Sequence, residues 1–370
     1  MSEGGRVPIR FYLSVGVFST AFGIMSPAVP LYASEVLQAN EWTLGVLGAV
    51  MALPYIAGAA VFGRFSDRIG RKPLMVLGLV LYVAVTLSYI SCSEFVIFGL
   101  LRCLEGLAFS MVWPSAEAYV GDRGGASSMG ERVGCYSVSW SSGYTAGPFL
   151  MGAVLSLDGL QSAFLATILL VVAGLLLVLT VKMPPVELEG RVDKDGVVNG
   201  KGFLSTLYLM VVWGFAMLSF YFLFPPYAVG LGIPAPIVGY MVGCASGMRT
   251  LSFLVYERFL RRNSVVAGVI AMMTSMLLGW ALPGMVGFFI MAALFGVSLG
   301  MLYAHALGRM LDQPSRGLGA GLFEASIGFG QFLGPIVMGY VGFTFGSGAI
   351  FLVLSLIAAV SIPVTRIINR

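Results

Sequence analysis

Apolar residues come along this chain in long unbroken runs, of which LATILLVVAGLLLVLTV at 165–181 is typical. A helix that crosses a bilayer needs about 20 mostly apolar residues. Cutting the chain at charges, prolines and glycine-rich breaks predicts helices at 11–32, 42–62, 73–92, 95–119, 133–156, 160–182, 203–225, 236–256, 264–282, 285–307, 318–344 and 347–365. Strands of an outer-membrane barrel would be only about ten residues long and would alternate in polarity. The pattern therefore predicts an all-α membrane bundle of twelve spans. The first apolar stretch is too long for the core of a cleaved signal peptide and reads as the first span.

Composition agrees. Of 370 residues, 58% are hydrophobic and 10% are charged, with 49 glycines besides; soluble domains carry about 25% charge. A water-soluble globule could not hide so much apolar surface, and a disordered chain would be polar. The formal net charge of +4 is thus no sign of nucleic-acid binding. Cys92, Cys103, Cys135 and Cys244 lie in or beside apolar segments without CxxC spacing and read as packing residues. One histidine is too few for a multi-histidine metal site, so no metal is expected.

Sorting the charges by position gives an orientation. With the N-terminus in the cytoplasm, 19 of the 21 Lys and Arg fall at the inner ends of spans, in inner loops or at the termini. Arg102 and Arg249 lie within spans, and the outer loops hold only the acids Glu35, Glu41, Glu94 and Asp158. Both termini are therefore expected inside.

The chain also repeats itself. GYTAGPFLMG at 143–152 and GQFLGPIVMG at 330–339 both fit GxxxGPxxMG, 187 residues apart. SDRIGRK at 66–72 matches YERFLRR at 256–262 at an offset of 190, and GLAFSMVWPSAEAYVGD at 106–122 aligns with GVSLGMLYAHALGRMLD at the same offset. Two six-helix halves, 1–182 and 203–370, joined by a cytoplasmic linker at 183–202, follow. Parallel halves of this kind build the alternating-access sites of secondary transporters.

Several of these segments resemble one family. GRFSDRIGRK at 63–72 resembles the loop signature G-x-x-x-D-R-x-G-R-K of the major facilitator superfamily, with Gly63, Asp67, Arg68, Gly70, Arg71 and Lys72 at its defined positions. RCLEG at 102–106 resembles its Arg-x-x-x-Gly motif in the fourth span. Gly143, Gly147, Pro148 and Gly152 resemble the fifth-span motif of its antiporter branch, with Met151 at one glycine position. SPAVPLYASEVL at 26–37 is similar to the twelve-span drug:proton antiporters. The resemblance implies that Asp67 faces the N-terminus of the eleventh span and that Arg71 pairs with Asp122, a cluster whose breaking would open the protein to the cytoplasm. Gly63 and Gly70 would let helix ends approach closely. The fifth-span glycines and proline would give a bent, tightly packed helix.

Ionisable groups inside spans are costly and mark function by default. Arg102 and Glu105 sit on one face of the fourth span, with Phe109, Trp113 and Glu117 continuing the stripe. This pair is the candidate for coupling protonation to transport; a structural ion pair is the alternative. Arg249, His305 and Glu324 are further candidates, with Glu324 or Glu117 as partners for Arg249. If spans 1, 4, 7 and 10 line a cavity as the resemblance implies, Met25, Trp113, Tyr136, Trp140, Trp213, Phe220 and Tyr303 supply an aromatic, apolar wall, with Gln331 beside it. Helix 1 carries no acid with which to capture a cation.

These readings converge on a secondary active transporter of the cytoplasmic membrane, exchanging protons for small lipophilic or cationic compounds and working as a monomer with no cofactor beyond the proton gradient. The alternative is an importer or facilitator of a sugar or organic anion, for which Arg102 and Arg249 would be binding groups. HExxH, paired aspartates in spans and GxxxxGK[ST] are all missing, which argues against an intramembrane enzyme and an ATP-driven pump.

Overall fold

The computed structural model describes residues 7–122, 129–183, 201–255, 264–311 and 316–368. Most of the linker (184–200) and the second loop copy at 256–262 lie outside them. The described elements are all helical: α1 (Ile9–Glu35), α2 (Glu41–Val50), α3 (Ala52–Ile69), α4 (Arg71–Ile90), α5 (Phe95–Asp122), α6 (Met129–Thr180), α7 (Lys201–Gly230), α8 (Ala235–Val255), α9 (Ser264–Ala281), α10 (Met285–Leu311), α11 (Arg316–Phe345) and α12 (Ala349–Ile368).

These do not map one to one onto the expected spans. The second expected span is split into α2 and α3 at Met51, whose carbonyl oxygen lies against Gly106 of α5, where a Cβ would collide with it. The fifth and sixth are one helical run, α6, of 52 residues. As a straight helix it would be about 78 Å long, more than twice the hydrocarbon thickness. It is not straight. Gly143 and Gly174 both pack on the same short part of α1, the first against Gly16 and the second against Ser14 and Phe18. The chain must reverse between them, and Gly159, with φ at +71°, is where a right-handed helix cannot continue.

Ten helical segments among the described residues are long and apolar enough to cross a membrane. The expected spans missing from that set are the first stretch of α6 and α8, where the serines and glycines of SVSWSSGYTAG and the GCASGMRT run lower the hydropathy. Both stretches spend small residues on helix contacts instead. On the lipid-compatible side, Leu165, Leu169 and Leu176 of α6 are 52%, 72% and 58% exposed, the inverse of a soluble helix.

The helices cluster into two compact units. The first holds the chain up to Ala28 and from Val50 to the linker; the second holds Val29–Ala49 and everything beyond the linker. Within the second unit, Gly45 and Gly48 of α2 lie against Pro335 of α11, and Gly339 lies against Glu41 and Gly45. Trp42 also meets Tyr340 edge to face at 6.2 Å.

Each unit repeats the other's helix crossings. In the first, a Cβ on Gly143 or Gly147 would meet the carbonyl oxygens of Gly16 and Thr20. In the second, a Cβ on Gly330 or Gly334 would meet those of Val211 and Phe215, the same four-residue step. Gly78 of α4 packs on Met111 and Val112, and Gly268 of α9 packs on Met301 and Leu302, every member shifted by 190. Gly58 faces Ser110, while Gly300 faces Ser252, so glycine and serine have traded helices at that crossing.

Candidate functional site

The α4–α5 crossing builds the charged centre of the first unit. Gly78 has no side chain, so the Ala108 carbonyl approaches α4 closely and fixes an antiparallel register. Tyr89 then lies beside Phe98 with ring centres 4.5 Å apart, Tyr82 beside Phe109 at 5.3 Å, and Arg71 beside Asp122. That register brings Tyr89, seven residues from Tyr82 on one face of α4, against Glu105 of α5, while Tyr82 lies against Phe109.

Arg102 and Glu105 are 4% and 3% exposed, and Arg102 Nη1 donates to Glu105 Oε2 at 2.5 Å. The fully buried Tyr89 hydroxyl donates to the same oxygen at 2.6 Å. A carboxylate so deep is stable as an ion only with such partners, and removing one member of a buried pair typically costs about 3–5 kcal/mol. The tyrosines escaped the sequence reading because neither is charged. Their seven-residue spacing in an apolar span was the available signal. Toward the other end of α5 the stripe opens: Phe109 is 9% exposed, Trp113 half-buried and Glu117 exposed.

Around Trp113 the first unit collects aromatic rings. Phe18 and Phe22 of α1 each lie 5.7 Å from it, and Tyr144 of α6 stacks on it at 6.2 Å. Trp140 meets Tyr144 edge-on at 6.1 Å, and Tyr136 and Met25 are buried.

At the loop end, Arg71 is 3% exposed and organises the signature. Its Nε donates to Asp122 Oδ2 at 3.0 Å, its Nη2 pairs with Asp67, and its Nη1 donates to Ser66 Oγ and, at 3.4 Å, to the Gly63 carbonyl. The Arg71–Asp122 contact is the one the resemblance implies. Asp67 has Arg71 as its described partner. Lys72 donates to the carbonyls of Leu179 and Val181 at 2.6 and 3.0 Å, capping the end of α6. Arg68 is exposed. The close-approach reading of the two glycines needs correction. Among the described residues a Cβ on Gly63 would meet nothing within 4 Å, and Gly70 is required by its φ of +97°, which ends α3 and starts α4.

In the fifth-span motif, a Cβ on Gly147 would come within 2.6 Å of Gly23, whose own Cβ would lie 3.2 Å from Pro148; Gly152 is buried.

The second unit holds the other candidates separately. Trp213 donates from Nε1 to the Leu299 carbonyl at 2.9 Å and packs on Tyr303 at 5.4 Å. Tyr303 also meets Phe253 and Phe323, both at 5.6 Å. Phe220 stacks on Phe224 at 4.9 Å and meets Phe295 at a tilt at 4.7 Å. Arg249 is 4% exposed, while Glu324 and Gln331 are half-buried. His305 Nδ1 shares a hydrogen bond with Ser264 Oγ at 3.1 Å. A cavity of about 260 Å3 is bordered by Ser34, Asn40, Glu41, Tyr227 and Ser347, where Glu41 accepts from Ser347 at 2.5 Å; the sequence reading did not single it out. Among the described residues no group of three or more His, Cys, Asp or Glu side chains could hold a metal ion.

Long apolar helices, a duplicated set of glycine crossings and a buried ion pair define a polytopic membrane protein built by duplication. Residues 11–314 match the family model of the Major Facilitator Superfamily, and the chain belongs to that family. It is a transporter, not an enzyme. An uncharacterized MFS-type transporter of Methanocaldococcus jannaschii is 24% identical over 90% of each chain. Quinolone resistance protein NorA of Staphylococcus aureus is 21% identical over 89% of this chain and 88% of its own. Multidrug resistance protein 1 of Bacillus subtilis is 24% identical over 65% of this chain and 63% of its own. Among solved structures, a mutant of the nucleoside transporter NupG covers 98% of this chain and 99% of its own at a TM-score of 0.82 and 11% identity. A bacterial Spinster homologue in an inward-facing state covers 99% and 98% at 0.79 and 14%. At these identities the structures speak for the fold.

Proposed function

We propose that this protein is a proton-coupled exporter of small lipophilic or cationic compounds in the cytoplasmic membrane, working by alternating access. In this reading it has twelve spans with both termini inside and acts as a monomer without a cofactor. The observation that carries the proposal is the Arg102–Glu105 pair. Protonating a carboxylate 3% exposed and tied to a guanidinium removes the charge that compensates the buried Arg102, so its protonation favours a rearrangement inside the first unit. The multidrug and quinolone resistance proteins among the relatives favour export of such compounds. The rings around Trp113 in the first unit and, separately, those around Tyr303 in the second each offer a surface for flat apolar cations. An importer of anions would use Arg102 and Arg249 as binding groups, but Arg102 is already neutralised by Glu105.

Cells producing the protein are expected to accumulate less ethidium than control cells, with the difference abolished by an uncoupler. Glu105→Gln is expected to abolish gradient-driven efflux. Wild-type efflux in that variant, or increased uptake of a sugar or carboxylate by the wild type, would refute the proposal.

A further inference from the structure

The cavity beside Glu41 in the second unit takes no part in the function proposed above. It measures about 260 Å3 and lies among the end of α1, the start of α2, the end of α7 and the turn between α11 and α12. Its polar side is one cluster. Glu41 Oε1 accepts from Ser347 Oγ at 2.5 Å, and among the described residues the other carboxylate oxygen makes no hydrogen bond or ion pair. The Tyr227 ring is held by Phe351 at 5.3 Å and Phe288 at 5.9 Å. Its hydroxyl would lie 3.5 Å from a Cβ on Gly348, next to Ser347. Ser34 brings a further hydroxyl, and Leu223, Pro226 and Leu231 make an apolar side.

Charge decides what such a space can hold. The stretches that supply its lining, 29–49, 221–240 and 340–355, contain Glu35 and Glu41 and no Lys, Arg or His. Two helices end at the cavity. Ser34 is in the last turn of α1, and Tyr227 and Gly230 are in the last turn of α7. Their final carbonyls carry the negative end of the helix dipole. Two helices also begin there, but donors of their first turns are taken by protein acceptors. At the start of α2 the Thr43 N–H donates to Asn40 Oδ1 at 2.9 Å. At the start of α12, Ala349, Ile350 and Phe351 donate to the carbonyls of Gly346, Ser347 and Gly348. The cavity therefore favours a cation and repels an anion.

Size and donor set narrow the cation. One carboxylate is too few for a calcium ion, which takes about six to eight oxygen ligands. Pockets for drug-sized ligands begin at about 300 Å3, and this one is smaller. A primary ammonium group carries three N–H donors, which suit a carboxylate oxygen flanked by hydroxyls. A short alkyl chain behind it suits Leu223, Pro226 and Leu231.

We propose that this cavity binds a primary alkylammonium group, with Glu41 as its counter-ion and the Tyr227 and Ser34 hydroxyls as further acceptors. The group is carried by a short soluble amine or by the headgroup of phosphatidylethanolamine. The proposal needs neither the coupling role of Glu105 nor a direction of transport.

The test follows the thermal midpoint of the purified protein in phosphatidylcholine nanodiscs as butylammonium is added. A saturable rise is expected, and butyrate, with the opposite charge on a similar chain, is expected to give none. Glu41→Gln keeps the shape of the side chain and an oxygen for Ser347, and is expected to weaken binding at least about tenfold. Leu231→Trp fills the cavity from its exposed rim and is expected to do the same; it serves alone if Glu41→Gln fails to fold. Repeating the titration in nanodiscs that contain phosphatidylethanolamine separates the two sources. Weaker butylammonium binding there assigns the site to the lipid headgroup, and an unchanged curve assigns it to a soluble amine. No saturable rise in phosphatidylcholine, an equal response to butyrate, or binding undiminished in the variants would overturn the proposal.

Discussion

Lys72, the last residue of the loop signature, reaches across to the end of α6 and donates to two carbonyls that the helix itself leaves without partners. A cation at that position also meets the negative end of the helix dipole, worth about 0.3–1 kcal/mol near the surface. Lys72→Met is therefore expected to lower the thermal midpoint in detergent by a small but measurable amount, while Lys72→Arg retains most of it. The two signature glycines separate more sharply. Gly70 sits at φ +97° and ψ 153°, where an alanine would be strained by about 1–3 kcal/mol, so Gly70→Ala is expected to lower the midpoint. Gly63 is helical with open space around its Cα, and Gly63→Ala is expected to raise the midpoint slightly, by the ~1 kcal/mol that separates these residues in a helix. Equal losses from both variants would contradict this assignment. The motif could be recognised letter by letter in the sequence, yet the reason for each letter could not: positive φ and open space are properties of the folded backbone.

Helices in this protein meet where one of them has no side chain. Lipid offers no hydrophobic drive for helix association, so close approach and dispersion must hold the pairs together. Gly147 against Thr20 and Gly334 against Phe215 are the two copies of one such contact. Valine at either position would force the helices apart, and overpacking of this kind costs about 1–3 kcal/mol or more. Gly147→Val and Gly334→Val are expected to lower the thermal midpoint by similar amounts. A loss confined to the first would mean that the second copy no longer bears its helix crossing. Much at this scale was legible in the sequence. Continuous apolar runs marked the helices, and GxxxGPxxMG marked both crossings. The close approach of the Met51 carbonyl to Gly106 was hidden because the two residues lie 55 positions apart on different helices. The pairing of Tyr89 with Glu105 was hidden for the same kind of reason. It depends on which face of α4 meets α5, and an apolar span seen alone does not record its faces.

The two units show what duplication preserved and what it left free. The glycine crossings recur in both units, with glycine and serine exchanged at one of them, whereas the polar cluster of α4 and α5 has only Met272, Gly279, Ala292 and Phe295 at the matching places in α9 and α10. If the fold requires only the crossings, a first unit carrying the residues of the second should still fold. Removing one member of a buried ion pair leaves the other charge uncompensated, at about 3–5 kcal/mol, whereas replacing the pair with apolar groups that fill the space is often neutral or stabilising. Glu105→Phe alone should therefore destabilise the protein strongly, because it strands Arg102. Arg102→Ala combined with Glu105→Phe should recover most of that loss, since the bulk of one residue is traded against the other as it is at Ala292 and Phe295. The double variant is expected to regain a thermal midpoint near the wild type and to show no gradient-driven ethidium efflux. Recovery of stability without transport would separate the pair's role in coupling from any role in packing. Failure of the double variant to fold would instead make the ion pair part of the architecture of the first unit, and the division of labour between the units would have to be abandoned.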